Sequence, residues 1–262
     1  MTPAAGGVGD ATGDQSRASD RGEPYLEPYR DAVRRHGATF ESLLWRNAEF
    51  QRTRFRVLIE TAELGLRELG LGDTGRDKDQ VGDLERVTLA DIGCGRADLY
   101  DWLIGSGRRV RGYVGVDGVP ELVDACEQRG TKHGWQGVSF RLADFVRDGA
   151  LWNGLVGSGA TVLLFSGALN TLEEDAAVGV VERAYAALAS SGRAGGVVFN
   201  FLNAGFQSSS VASTSAAPAR NDPARRFDPN RVLSRVNEFA PRVVLRNDYL
   251  GGRDVTVGLF AY

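Results

Sequence analysis

From Thr39 onward apolar residues return at helical spacing: Phe40, Leu43, Leu44, Ala48, Phe55, Leu58, Ile59 and Ala62. Thr39 can cap the start, and Glu41 suits a first turn. The pattern predicts one long helix, or two separated by a kink. Asn47, Gln51 and Arg54 interrupt the stripe. Either they lie at its edge, or this face looks into a polar cleft. Before this segment, residues 1–22 are Gly, Ala, Ser, Thr and Asp with almost nothing to bury, and read as a disordered tail. Residues 23–71 form an N-terminal helical cap. The polar, glycine-containing stretch 72–86 reads as a linker or exposed loop.

Residues 87–262 alternate between two periods. Buried strands are expected at 87–92, 110–117, 137–144, 160–167 and 194–202, and helices near Asp98, from Pro120 to Gly130 and over 173–190. Apolar strands alternating with helices imply a parallel sheet covered on both faces. Residues 205–225 are low-complexity and loop-like, and a helix is expected from Pro229 to Phe239. Two closing strands, 242–250 and 253–262, meet at Gly251-Gly252, a hairpin signal. The expected fold is α/β and Rossmann-like. It has a seven-stranded, mostly parallel sheet ending in an antiparallel hairpin, with helices on both faces.

Composition narrows the function. With 262 residues, 42% hydrophobic, the chain can form one large domain or one domain with an added cap. A net charge of −3 gives no support for nucleic-acid binding through phosphate contacts. Cys94 and Cys126 make no disulfide framework and suit a reducing cytoplasm. The chain lacks an apolar run long enough for a membrane span, and its start lacks the pattern of a secretory signal. The expectation is a cytoplasmic protein without a membrane or nucleic-acid partner; the oligomeric state is left open.

The chemistry concentrates in "DIGCGRAD", residues 91–98, at the end of the first strand. A glycine loop there brings backbone close to a ligand, at the edge where open α/β sheets bind. A dinucleotide loop needs a third glycine, but this position holds Asp98, an acid where a pyrophosphate must approach. Asp98 suits the start of a helix instead. S-adenosyl-L-methionine carries an ammonium and a sulfonium and no phosphate, so an acid at Asp91 is electrostatically sensible.

This segment resembles motif I of the class I S-adenosyl-L-methionine-dependent methyltransferases. Asp91, Gly93 and Gly95 match, and Ala97 stands for the last glycine. The resemblance covers roughly residues 87–262. It implies that Asp117, ending "YVGVDG", accepts hydrogen bonds from the ribose diol. It implies that Asp144 accepts from the adenine amino group, with Val119 and Phe145 as walls around the ring. Cys94, Gly118, Ser166 and Gly167 complete the expected cofactor set, and the product would be S-adenosyl-L-homocysteine. The front of the chain also resembles the N-terminal helices of some bacterial small-molecule methyltransferases. There Arg54 could pair with the methionine carboxylate, with Gln51 beside it, or Arg54 could form a salt bridge tying the cap to the sheet.

The expected reaction is in-line methyl transfer to a small molecule, without a metal. His36 is the better base candidate of the two histidines, yet it also reads as a surface residue at a helix start; His133 is expected far from the ligand. Asn170, Asn200 and Asn203 are the candidate acceptor-binding groups. Arg220, Arg225, Arg226 and Arg231 could receive an anionic acceptor, or form a solvated face. Other readings are a non-catalytic S-adenosyl-L-methionine-binding protein, a methyltransferase acting on RNA or protein, and an NAD-dependent oxidoreductase, which Asp98 disfavours.

Overall fold

The apolar runs assemble into one sheet in the computed structural model, which describes residues 23–71, 83–206 and 223–262. The 1–22 tail, residues 72–82 of the linker and residues 207–222 of the loop, with Arg220, lie outside the described residues. The strands are β1 (Thr88–Ile92), β2 (Gly112–Asp117), β3 (Val138–Leu142), β4 (Val162–Phe165), β5 (Gly195–Asn203), β6 (Arg226–Phe227), β7 (Val243–Arg246) and β8 (Asp254–Ala261). Seven follow the order β3-β2-β1-β4-β5-β8-β7, and β6 pairs with β5 off this path. The eighth strand, absent from the expectation, is this two-residue addition.

Strands β1 to β5 are parallel, and β8 runs antiparallel between β5 and β7. The order reverses between β1 and β4, which opens a crevice beyond their carboxyl ends. Register aligns those ends: Ile92 lies opposite Val116, and Asp117 opposite Leu142. The loops after β1, β2 and β4 therefore share one edge.

The join between β7 and β8 is longer than two glycines. Arg246 pairs with Thr256, so residues 247–253 form the connection, including a 3-10 turn at Leu250–Gly252. Asp248 is folded back onto the Arg246 guanidinium at 2.8 Å, within this connection.

Helices cover both faces. The helices α5 (Leu151–Gly157), α6 (Glu174–Ser190) and α7 (Pro229–Val236) pack on one side, with Trp152, Phe165, Phe199 and Phe201 in their core. Sequence periodicity missed α5, because Gly154 and Gly157 weaken its helical signal. Burial of Leu151, Trp152, Leu155 and Val156 holds it.

On the other face lie α2 (Ala48–Glu68), α3 (Asp98–Gly105) and α4 (Pro120–His133). Thr39 does not cap the long helix. The chain first forms α1 (Glu27–His36) and a 3-10 turn at Glu41–Leu43, then breaks at Leu44, whose φ is 58°. Asn47 caps α2, its side chain accepting from Phe50 N at 2.7 Å. Helix α2 is not part of a separate cap. Its Phe55, Leu58, Ile59, Ala62 and Leu66 join the core against β5 and β8, with Gly65 set against the ring of Phe260. Only α1 and the 3-10 turn remain over the strand ends. The end of the expected linker is likewise ordered, as a 3-10 turn at Asp83–Arg86 that buries Leu84.

Candidate active site

The loop after β1 is folded back onto β2. Gly93 N and Cys94 N both donate to Val116 O, at 2.8 and 3.0 Å. Asp117 fastens the other side, accepting from Gly95 N at 2.8 Å and Val119 N at 3.0 Å. Gly93 has φ 72°, and a Cβ there would stand 2.5 Å from the Ala168 Cβ. Ala97, with φ 57°, also takes the left-handed form, which costs an L residue roughly 1–2 kcal/mol. Cys94 is buried. Its hydrogen bond with the Cys126 thiol, and then burial, push its thiol up, the opposite of what a nucleophile needs.

A cleft of about 940 Å³, including space open to solvent, runs from this loop to the N-terminal turn. Asp91 sits on its wall at 2% exposure. One carboxylate oxygen accepts from the Tyr113 hydroxyl, and the other has no hydrogen-bond partner among the described residues. Burial lifts its pKa from the usual carboxylate range to about 7. Ser166 Oγ and Asn170 Oδ1, on the same wall, are also buried without partners. Asp117 is lifted to about 6 by burial, against the pull of its backbone donors.

The polar interruptions of the helical stripe separate into two roles. Asn47 is a cap; Gln51 and Arg54 are buried and line the cleft. Arg54 Nε meets Asp254 Oδ1 at 2.5 Å, with both side chains at 5% exposure or less. Its guanidinium stacks over Trp45 at 4.7 Å. The tie between helix and sheet is therefore formed by the same side chain that faces the cleft. Gly167, with φ 71°, lets the Trp45 ring approach, since a Cβ there would lie 2.6 Å from it.

Beside Asp117 lies a second hollow of about 420 Å³. Phe145, Leu122 and Gly118 form part of its wall, and Tyr25, Leu26 and Tyr29 come from the N-terminal segment. Val119 is not in that lining. Its side chain packs with Val33 and Leu122, and Leu122 faces the hollow in its place. Asp144 is engaged elsewhere: it accepts from the Tyr25 hydroxyl at 2.6 Å and from Val146 N at 2.9 Å.

Several candidates stand apart from both cavities. His36 is exposed at the end of α1 and lines neither, so it is not placed to act as a base. His133 stacks on Trp135 at the end of α4. Asn200 is fully buried, accepting from Gly167 N at 2.8 Å, and it supports the loop after β4 rather than facing an acceptor. Asn203 is also structural, donating to Gly252 O and accepting from Gly205 N. Asp98, by contrast, lines the large cleft, but it begins α3 and is paired with Arg129 at 2.7 Å. Arg225 and Arg231 pair with Glu173 and Glu174, and Arg226 donates to Asn203 O. Sequence reasoning missed Tyr113, Trp45, Tyr29 and Arg253. None carries a motif, and each reaches the site only through the chain's three-dimensional path.

No family model matches the sequence, and no curated protein does so significantly. Solved structures do match in shape. The N-terminal domain of EvdMO1, solved with SAH bound, is 14% identical with a TM-score of 0.51 over 86% of this chain and 85% of that one. The chain spans only 42% of the longer EvdMO1 structure. A possible exported protein from Bordetella parapertussis is 15% identical with a TM-score of 0.51, over 81% and 67% of the two chains. A SAM-dependent methyltransferase from Aquifex aeolicus is 12% identical with a TM-score of 0.44, over 80% and 98%. The strand order, the closing antiparallel strands and the likeness to the EvdMO1 N-terminal domain give the chain a Rossmann-like α/β fold, shared with a domain solved with SAH bound.

Proposed function

We propose that the chain is an S-adenosyl-L-methionine-dependent methyltransferase acting on a small-molecule acceptor, in the cytoplasm. The observation that carries this reading is Asp91. A buried carboxylate with one oxygen unpartnered, on a cleft wall beside a glycine loop, favours a cationic ligand. Ser166 and Asn170 add further unsatisfied polar groups to the same wall. The SAH in the EvdMO1 domain supports the same ligand class.

The residues fit the cofactor in three parts. Asp91 is suited to the ammonium, and the outer nitrogens of Arg54, with Gln51, to the methionine carboxylate. Asp117, whose carboxylate borders the second hollow, is suited to the ribose diol, and Phe145 and Leu122 to the adenine faces. Asp144 serves the adenine amino group only once the Tyr25 hydroxyl leaves it. Bound there, S-adenosyl-L-methionine supplies an activated methyl group: the acceptor's lone pair forms the new bond, and the carbon–sulfur electrons stay on sulfur. The chain's own part is orientation and exclusion of water. Tyr29, Leu43 and Trp45 close over the cleft, and burial keeps the Tyr29 phenol protonated, so it is no base at neutral pH. With His36 remote, acceptors that need no strong base, such as amines and acidic phenols, suit this site.

Calorimetry with S-adenosyl-L-methionine, S-adenosyl-L-homocysteine and NAD tests the reading. The first two are expected to bind, and binding of NAD alone would overturn it. Asp117→Ala is expected to weaken S-adenosyl-L-homocysteine roughly 10- to 100-fold, the worth of hydrogen bonds to a charged acceptor. An unchanged affinity removes the ribose assignment. Binding without methyl transfer to any acceptor in a fractionated extract would leave a binding protein only.

A further inference from the structure

The large cleft is electrically uneven. Asp91 and Asp98 are its carboxylates, Asp98 already paired with Arg129 at 2.7 Å, while Arg46 and Arg253 contribute two guanidinium groups beyond that of Arg54. Arg46 follows Trp45 and is exposed; Arg253 precedes β8 and is half-buried. Among the described residues neither guanidinium makes an ion pair or a hydrogen bond; that of Arg253 lies over the Phe50 ring at 5.7 Å, and its buried Nε has no hydrogen-bond acceptor there. The nearby Asp254 is already taken by Arg54. Burial, followed by repulsion from Arg46, Arg54 and Arg226, holds the Arg253 pKa below the usual arginine value. Such a group remains charged at neutral pH, so its unmet charge calls for an anion.

The surface arginines behave differently. Arg225 and Arg231, which the sequence offers for an anionic ligand, are matched by glutamates. Around the unmatched pair, Leu44, Trp45 and Leu202 supply apolar surface. If Arg54 serves the methionine carboxylate, the remaining positive charge is left for the second ligand.

Building on the methyltransferase reading, we propose that the methyl acceptor is a small organic anion, a carboxylate or phosphate ester on an apolar body, docked by Arg253 and Arg46. Arg253 supplies the half-buried donor fork and Arg46 the outer charge. Both act as specificity-determining residues. The cofactor's own binding depends on Asp91, Asp117 and Arg54.

The test is calorimetry on the protein saturated with S-adenosyl-L-homocysteine, using benzoate, phenyl phosphate and the neutral benzamide as probes. At least one anion is expected to bind, with benzamide at least tenfold weaker; which anion binds tells carboxylate from phosphate. Arg253→Gln and, on the exposed side, Arg46→Gln are each expected to weaken that anion roughly tenfold, the worth of one charged hydrogen bond. Their affinity for S-adenosyl-L-homocysteine should stay within about twofold, as expected when the lost contact lies outside the cofactor's polar set. Arg46→Gln keeps the test decisive if Arg253→Gln fails to fold. The proposal is overturned if neither anion binds, if benzamide binds as well, or if the variants bind the anion like the parent. A tenfold loss of cofactor affinity in either variant also overturns it, by assigning these groups to the methionine carboxylate. If the parent protein binds no S-adenosyl-L-homocysteine, the methyltransferase reading itself has failed. Anion titration of the ligand-free protein then reports the arginine site separately.

Discussion

Asp91→Asn is expected to weaken S-adenosyl-L-homocysteine binding by roughly 100-fold at about pH 8 while raising the Tm of the ligand-free protein. The two effects share one cause. Asp91 is buried with one oxygen unpartnered and a pKa lifted to about 7. An ordinary unfolded aspartate has a pKa near 3.9, so between about pH 4 and pH 7 the folded ligand-free state holds the extra proton. Asp91 therefore lowers the stability of the empty protein as pH rises through that window. Above pH 7 its cost is fully present, up to a few kcal/mol. Asparagine keeps an acceptor for Tyr113 and cannot ionise, so the variant avoids this cost. It also lacks the charge for the ammonium.

The linkage fixes a pH dependence for binding. A cationic ligand favours the ionised carboxylate, so binding below about pH 7 releases a proton and affinity rises toward pH 7 before levelling. In Asp91→Asn that step should disappear, while a smaller one near pH 6 remains from Asp117. Calorimetry across this range, with thermal melts of the empty protein, checks both. Equal affinity and an identical pH slope in parent and variant would remove Asp91 from the site.

Arg54→Met is expected to lower unfolding free energy by about 3–5 kcal/mol. The loss comes from what is left behind. Asp254 is fully buried, its Oδ1 is held by Arg54 at 2.5 Å, and its Oδ2 has no hydrogen-bond partner among the described residues. Removing the guanidinium strands a charge in the core. Replacing both partners, as Arg54→Met with Asp254→Leu, should recover most of the loss, since an apolar pair avoids both desolvation penalties. Urea midpoints of the parent and the two variants test this, and equal stability of the single variant and the parent would dismiss the tie. The folded double variant then isolates the second role of Arg54. If its outer nitrogens meet the methionine carboxylate, that variant still binds S-adenosyl-L-homocysteine at least tenfold more weakly.

The sheet was readable because parallel strands buried on both faces appear as continuous apolar runs, and because motif I anchors their order. Asp91, Gly93, Gly95, Asp117 and Phe145 all reach one strand edge, since register follows from those runs. What was illegible depends on side-chain reach across long separations. Arg54 and Asp254 are 200 positions apart, and nothing local marks them as partners. Tyr113 looks like any strand aromatic until its hydroxyl meets Asp91. Val119 and Leu122 are both apolar residues just beyond β2, and only the turn of α4 decides which faces the hollow. Asn200 and Asn203 sit at the correct strand end, yet backbone groups claim the Asn200 oxygen and both ends of the Asn203 amide first. The start of α2 was misread because Leu43 and Leu44 continue an apolar spacing that the backbone abandons at Leu44.

The roof of the second hollow is fastened differently from its floor. Tyr25 rests on Asp144 at 2.6 Å, and Glu23 bridges Arg30 and Arg147, each at 2.9 Å. The floor belongs to the buried sheet, whereas these clasps are only partly buried and the Arg147 end is exposed. Exposed ion pairs are weak and are screened by salt. If the proposed cofactor occupies this hollow, the clasps set its residence time. On the proposed cofactor placement, an adenosine group under Tyr25 and Tyr29 would leave only after the N-terminal segment lifts, and its escape is expected to quicken as ionic strength rises, a change that stopped-flow release would record.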